Sequence, residues 1–196
     1  MRRARVHAKH ALRMIVLVYG YDGSRPGHWQ RWLEDELRRR GAPVVFPELP
    51  DPLVPQKDAW VDALAAIVDA ETNTPVTFVC HSLGCWAVDH LLATRGARGV
   101  HAALLAAPPS PHLLFEPVES FLPPPRRAEA WVSLAARSLL VGSDNDEFTA
   151  AEEFEAIAAT LGLRHHIIPG AGHINLASGY GPWPFALEWL ASVGAL

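Results

Sequence analysis

The sequence predicts an α/β fold, a three-layer α/β/α sandwich around a mostly parallel six-stranded sheet with a short cap segment. Short apolar runs alternate about six times with amphipathic segments of helical period. The central runs have no polar face: VTFVC at Val76–Cys80 suits a strand covered by helices on both sides. The length, 196 residues, allows one domain with a substantial core, read here as residues 14–196 behind a basic tail at 1–13.

Each element has its own signal. Met14–Tyr19 (MIVLVY) reads as a buried strand running into a glycine-rich loop, Gly20–Gly27. Trp29, Trp32, Leu33 and Leu37 share one face of a helix over His28–Arg40 that Gly41 stops. Pro43–Phe46 is a second strand, Pro47–Pro55 a proline-rich link, and Trp60, Val61, Leu64, Ile67 and Val68 line the next helix. The strand Val76–Cys80 leads to a helix over Leu83–Thr94 and a strand over Val100–Ala107. Residues 108–125 contain seven prolines, which predicts an irregular excursion. Arg137–Gly142 resumes as a strand, and Thr149 with Glu152 forms a capping-box pattern opening a helix through Leu161, with Phe154, Ile157, Ala158 and Leu161 inward. Arg164–Ile168 is the last strand and Pro182–Val193 the last helix, its proline placed where helices tolerate one.

Composition narrows the function classes. At 49% hydrophobic and 19% charged the chain is that of an ordinary folded protein, and a net charge of −4 gives no footprint for nucleic acid. Arg2, Arg3, Arg5, Lys9 and Arg13 make the first 13 residues basic. The apolar run after them is shorter than the roughly 7–15 residues of a secretory core, so they are expected to be a tail upstream of a working start at Met14. No stretch approaches the roughly 18 apolar residues of a membrane span, and a cytoplasmic location is expected. Cys80 and Cys85 are the only cysteines; two thiols at that spacing form neither a disulfide framework nor a zinc site, and both read as buried free thiols.

In an open parallel sheet, ligands bind beyond the carboxyl ends of the strands, and three such places carry reactive residues. Cys80-His81-Ser82-Leu83-Gly84 joins a buried strand to a helix, where a tight turn would raise a serine hydroxyl above the sheet. Gly84 meets the steric demand of such a turn on one side, while Cys80 stands where a glycine is usual on the other. The bland reading is that Ser82 only caps the helix. Gly142-Ser143-Asp144-Asn145-Asp146 follows another strand and offers two carboxylates, Asp144 and Asp146, either of which could orient a base or simply cap a turn. Gly170-Ala171-Gly172-His173 follows the last strand and could carry an imidazole over the sheet edge. Among the other histidines, His165 and His166 lie within a strand, His81 is expected to point away from a pocket, and His28 precedes the serine. The chain order Ser82, Asp146, His173 is that of an α/β-hydrolase.

With these residues in view, the chain resembles a family of small α/β-hydrolases that includes bacterial YdeN-like proteins and the retinoblastoma-binding serine hydrolase of animals. The likeness runs from Met14 to the C-terminus. Beyond the three residues it rests on Gly20 with His28-Trp29-Gln30-Arg31-Trp32-Leu33, on Pro47-Glu48-Leu49-Pro50-Asp51-Pro52, and on His81-Ser82-Leu83-Gly84-Cys85. The family's elbow often lacks the leading glycine. Its acid stands four residues before a position often held by proline, which selects Asp146, with Ala150 in the proline's place and Glu147 where a proline commonly follows the acid.

The resemblance implies a minimal α/β-hydrolase fold and a serine hydrolase with Ser82 as nucleophile, His173 as base and Asp146 as its orienting acid. It also implies an oxyanion hole from the backbone N–H groups of Leu83 and Tyr21, and neither metal nor organic cofactor. With a short cap, the pocket is expected to be modest and open, walled by Tyr21, Trp29 and the proline-rich segment. It would suit small acyl esters, with amide cleavage or acyl transfer by the same residues as neighbouring possibilities. The alternative from another class is a protein-interaction module on a hydrolase scaffold. A retinoblastoma-binding segment of the form Leu-x-Cys-x-Glu is absent, since neither cysteine is followed by Glu two residues on.

Overall fold

The computed structural model describes residues 13–72 and 74–196; apart from Arg13, the expected tail lies outside them. Six strands form one sheet: β1 (Ile15–Val18), β2 (Val44–Val45), β3 (Val76–His81), β4 (Val100–Ala106), β5 (Leu139–Ser143) and β6 (Arg164–Ile168). They run in the order β2-β1-β3-β4-β5-β6, and every pairing is parallel. The helices are α1 (Trp29–Arg39), α2 (Lys57–Ala70), α3 (Leu83–Arg95), α4 (Ala128–Trp131), α5 (Ala151–Leu161) and α6 (Pro184–Ser192). A 3-10 helix spans Glu116–Phe121.

Alternation of side chains along each strand divides the core in two. From β1, Val16 and Val18 face the layer built by α2, α3 and α5, while Ile15 and Leu17 face the layer of α1 and α6. In β3, Phe78 and Cys80 join the first layer and Val79 the second. Both cysteines are buried and unpaired, and burial pushes both thiols well above their ordinary pKa. The apolar stripe expected on the first helix is present: Trp29, Leu33 and Leu37 are fully buried, and Gly41, in the left-handed region at φ 69°, ends it.

Three expectations change in detail. The second strand, at one edge of the sheet, is only two residues long. The segment over 108–125 is more ordered than its prolines suggest: the 3-10 helix buries Val118 and Phe121 against the first core layer. The box opening α5 is shifted by one residue. Ala150 occupies the cap position and Glu153, not Glu152, accepts from its N–H, while the Thr149 hydroxyl donates to the Pro108 carbonyl instead.

The order of the strands also places a crevice. From β1 the chain moves outward to β2, then crosses to β3 and continues in the opposite direction. The loops leaving the carboxyl ends of β1 and β3 therefore part from one another, opening a cleft between them.

Candidate active site

Ser82 sits between β3 and α3 with φ 51° and ψ −126°, a region that a side-chain-bearing residue occupies only under constraint. The constraint is visible on both sides. A Cβ on Gly84 would lie 2.5 Å from the Val18 carbonyl oxygen, and one on Gly20 would lie 2.6 Å from the Ser82 Cβ. The sheet thus approaches the turn so closely that both positions need glycine. The Ser82 side chain makes no cap bond to its helix, which removes the reading of Ser82 as a simple helix cap. Its Oγ instead lies 2.9 Å from His173 Nε2.

His173 is buried at 6% exposure, and its Nδ1 lies 3.1 and 2.9 Å from the two carboxylate oxygens of Asp146. Because a carboxylate only accepts, Nδ1 carries the proton and Nε2 is free to accept from the serine hydroxyl. Asp146 has no exposed side-chain surface, and its Oδ1 also accepts from the Phe148 N–H at 2.8 Å. Asp144 points elsewhere, accepting from the Gly170 N–H at 2.7 Å.

The loop that carries His173 is held at nearly every backbone group. Three successive N–H groups, those of Gly170, Ala171 and Gly172, donate to Asp144 Oδ1, Ser143 Oγ and Asn145 Oδ1 at 2.7, 2.9 and 2.7 Å. The Trp29 indole N–H donates to the Ile174 carbonyl at 2.9 Å. Sequence reasoning missed these supports. The polar run Ser143-Asp144-Asn145 after a strand was the available signal, but only the fold reveals that its partners lie some 27 residues later. Gln30 was also missed. Fully buried, its amide donates to the carbonyls of Val18 and Val79 at 3.0 and 3.2 Å and its oxygen accepts from Ser24. It ties the loop after β1 to the ends of two strands.

Two other histidines stand beside His173. His81 does not point away as expected. It lines the cleft, its ring centroid is 5.1 Å from that of His173, and its Nε2–H donates to the His173 carbonyl at 2.9 Å. His28 caps α1, its Nδ1 accepting from the Gln30 N–H at 3.2 Å. Burial, reinforced by the charge His173 would carry and by Arg31, pushes the pKa of His28 down to about 4. Burial also holds His81 well below the ordinary histidine value. Both flanking rings are therefore neutral at physiological pH.

Ser82, His173, Tyr21 and Leu83 open into a cleft of about 850 Å³ whose other walls include Leu113, Phe115, Phe148 and Leu176. Trp29, expected as a wall, is instead fully buried beneath the His173 loop. Leu83 is the first residue of α3, so its N–H has no partner within the helix.

The model of the serine hydrolase family matches residues 15–192. YdeN of Bacillus subtilis, named as a hydrolase, is 22% identical over 184 residues, covering 92% of this chain and 95% of its own. Its crystal structure superposes with a TM-score of 0.80, at 21% identity over 94% of this chain and 100% of that one. A YdeN-like hydrolase of Pectobacterium atrosepticum gives 0.75 at 24% identity, covering 92% and 90%. These likenesses establish the α/β-hydrolase fold. Since the family match begins at the first buried strand and ends in the last helix, it takes in the whole sheet and all three loops that meet at Ser82: the chain belongs to the serine hydrolase family.

Proposed function

We propose that the chain is a carboxylesterase acting on small acyl esters through Ser82, His173 and Asp146 and a covalent acyl-enzyme. One observation carries this reading. The Ser82 hydroxyl, the His173 imidazole and the Asp146 carboxylate form a continuous hydrogen-bonded line at the end of a buried strand.

In the first step His173 Nε2 takes the hydroxyl proton as Ser82 Oγ bonds to the ester carbonyl carbon. The negative charge that develops on the carbonyl oxygen is met by the backbone N–H groups of Leu83 and Tyr21, aided by the positive end of α3. Asp146 stabilises the imidazolium without taking its proton. The intermediate collapses as the proton passes from His173 to the departing alkoxide, releasing the alcohol. Water then enters, gives its proton to His173, and attacks the acyl-serine; collapse returns the proton to Ser82 Oγ and frees the acid.

The test is the intact mass after incubation with a fluorophosphonate, on wild type beside Ser82→Ala. A single adduct on wild type, absent from the variant, supports an activated serine at 82. A folded wild-type protein that takes no adduct overturns the reading and favours a binding role for the same scaffold.

A further inference from the structure

The cleft beside Ser82 is unequally walled. Leu113, Leu114, Phe115 and Val118, all from the segment after β4, line it together with Phe148 and Leu176. Leu114 is 98% exposed and Phe115 41%. Large apolar side chains presented to water around one cleft mark a binding surface. Val118 is buried in the core beneath, and Leu113 packs against that same core, so the wall has a fixed base and an open rim.

The chemistry of the ester assigns the two sides. His173 must protonate the departing oxygen, so the alcohol leaves beside the imidazole, where the Phe148 ring lies 4.6 Å from that of His173. The apolar segment lies against the other arm: the Phe115 ring meets that of Tyr21 edge-on at 5.0 Å, and Tyr21 belongs to the loop that offers the second oxyanion N–H. With the carbonyl oxygen in the hole and the alcohol at His173, the remaining substituent of the carbonyl carbon is directed along Leu113–Phe115. We propose that this segment is an acyl-chain site, and that the preferred esters carry medium-length straight alkyl chains rather than acetyl groups. This rests on the esterase reading above.

The experiment compares kcat/KM for p-nitrophenyl acetate, butyrate and octanoate with wild type, Leu114→Ser and Val132→Ser. Both replaced side chains are highly exposed, so folding should be retained, which a melting curve checks; Val132 lies outside the cleft lining. Each methylene taken out of water should raise kcat/KM by about three- to fourfold, so octanoate should exceed acetate in wild type. Leu114→Ser should lower the octanoate-to-acetate ratio by about fivefold or more, and Val132→Ser should leave it as in wild type. Acetate turned over as well as octanoate, or a ratio unchanged by Leu114→Ser, would overturn the acyl-chain site while the esterase reading stands. Hydrolysis of none of the three esters would overturn both.

Discussion

Ser82 holds a strained backbone, and strain of this kind costs about 1–3 kcal/mol. It is sustained by the buried strand on one side, by α3 on the other, and by two glycines that let the neighbouring chain come close. The hydroxyl itself contributes little packing, so Ser82→Ala should abolish ester hydrolysis while leaving the melting temperature nearly unchanged. The two aspartates of the loop after β5 should separate cleanly. Asp146→Asn removes the carboxylate that fixes the His173 tautomer and should lower kcat by roughly 10⁴-fold. Asp144→Asn keeps an oxygen able to accept from Gly170 and should cost only a few-fold, on the order of one weakened hydrogen bond. Equal kinetics of wild type and Asp146→Asn would overturn Asp146 as the proposed acid.

Between elements, the decisive contact joins the loop after β5 to the loop after β6. Side chains of Ser143, Asp144 and Asn145 each take one N–H from the His173 loop, so the His173 loop is positioned by its neighbour's polar run. Asn145→Ala removes the acceptor of the Gly172 N–H and should lower kcat by up to about tenfold, equivalent to one lost hydrogen bond of about 1 kcal/mol. Asn145→Asp, which keeps the accepting oxygen, should recover most of that rate; steady-state kinetics of the two variants decide it. The segment over the cleft has a comparable anchor. Asp89, buried in α3, accepts from the Trp131 indole N–H and the Arg126 N–H, both at 2.8 Å. Burial raises its pKa, yet those two donors favour the charged form. Asp89→Ala leaves both donors unmatched and should reduce the urea-unfolding free energy by about 2–3 kcal/mol.

Across the whole molecule, the histidines beside the site link stability to pH. His28 is held neutral in the folded state, its pKa lowered from 6.5 to about 4. Between those two values the unfolded chain binds the proton that the folded chain refuses, so stability falls as pH drops through this window and levels off below it. His81, also held below its ordinary value by burial, acts in the same direction. Urea unfolding followed from neutral pH down to about pH 4 should show this loss, and His28→Asn, which can still cap α1, should reduce it. An unchanged slope in that variant would mean that other groups govern acid stability. No helix among the described residues is long and apolar enough to cross a membrane. The cleft at the β1/β3 switch point is a property of strand order, not of any single residue.

Much was legible in the residues because periodicity and punctuation are local. Six apolar runs, the helical stripe of Trp29, Leu33 and Leu37, and the stop at Gly41 follow from side-chain geometry within a few residues. The serine at a strand–helix junction, with an acid and a histidine after later strands, was legible for a related reason: a parallel sheet gathers its strand ends at one edge. Tertiary structure decided what depends on partners distant in sequence. It separated Asp146 from Asp144, turned His81 toward His173, buried Trp29 beneath the His173 loop, and ordered a proline-rich stretch through Phe121 and Val118. It also shifted the start of α5 by one residue, because the Thr149 hydroxyl found the Pro108 carbonyl across the fold. A side chain's type limits what it can bond, but its direction is set only when the chain closes and every buried donor must find an acceptor.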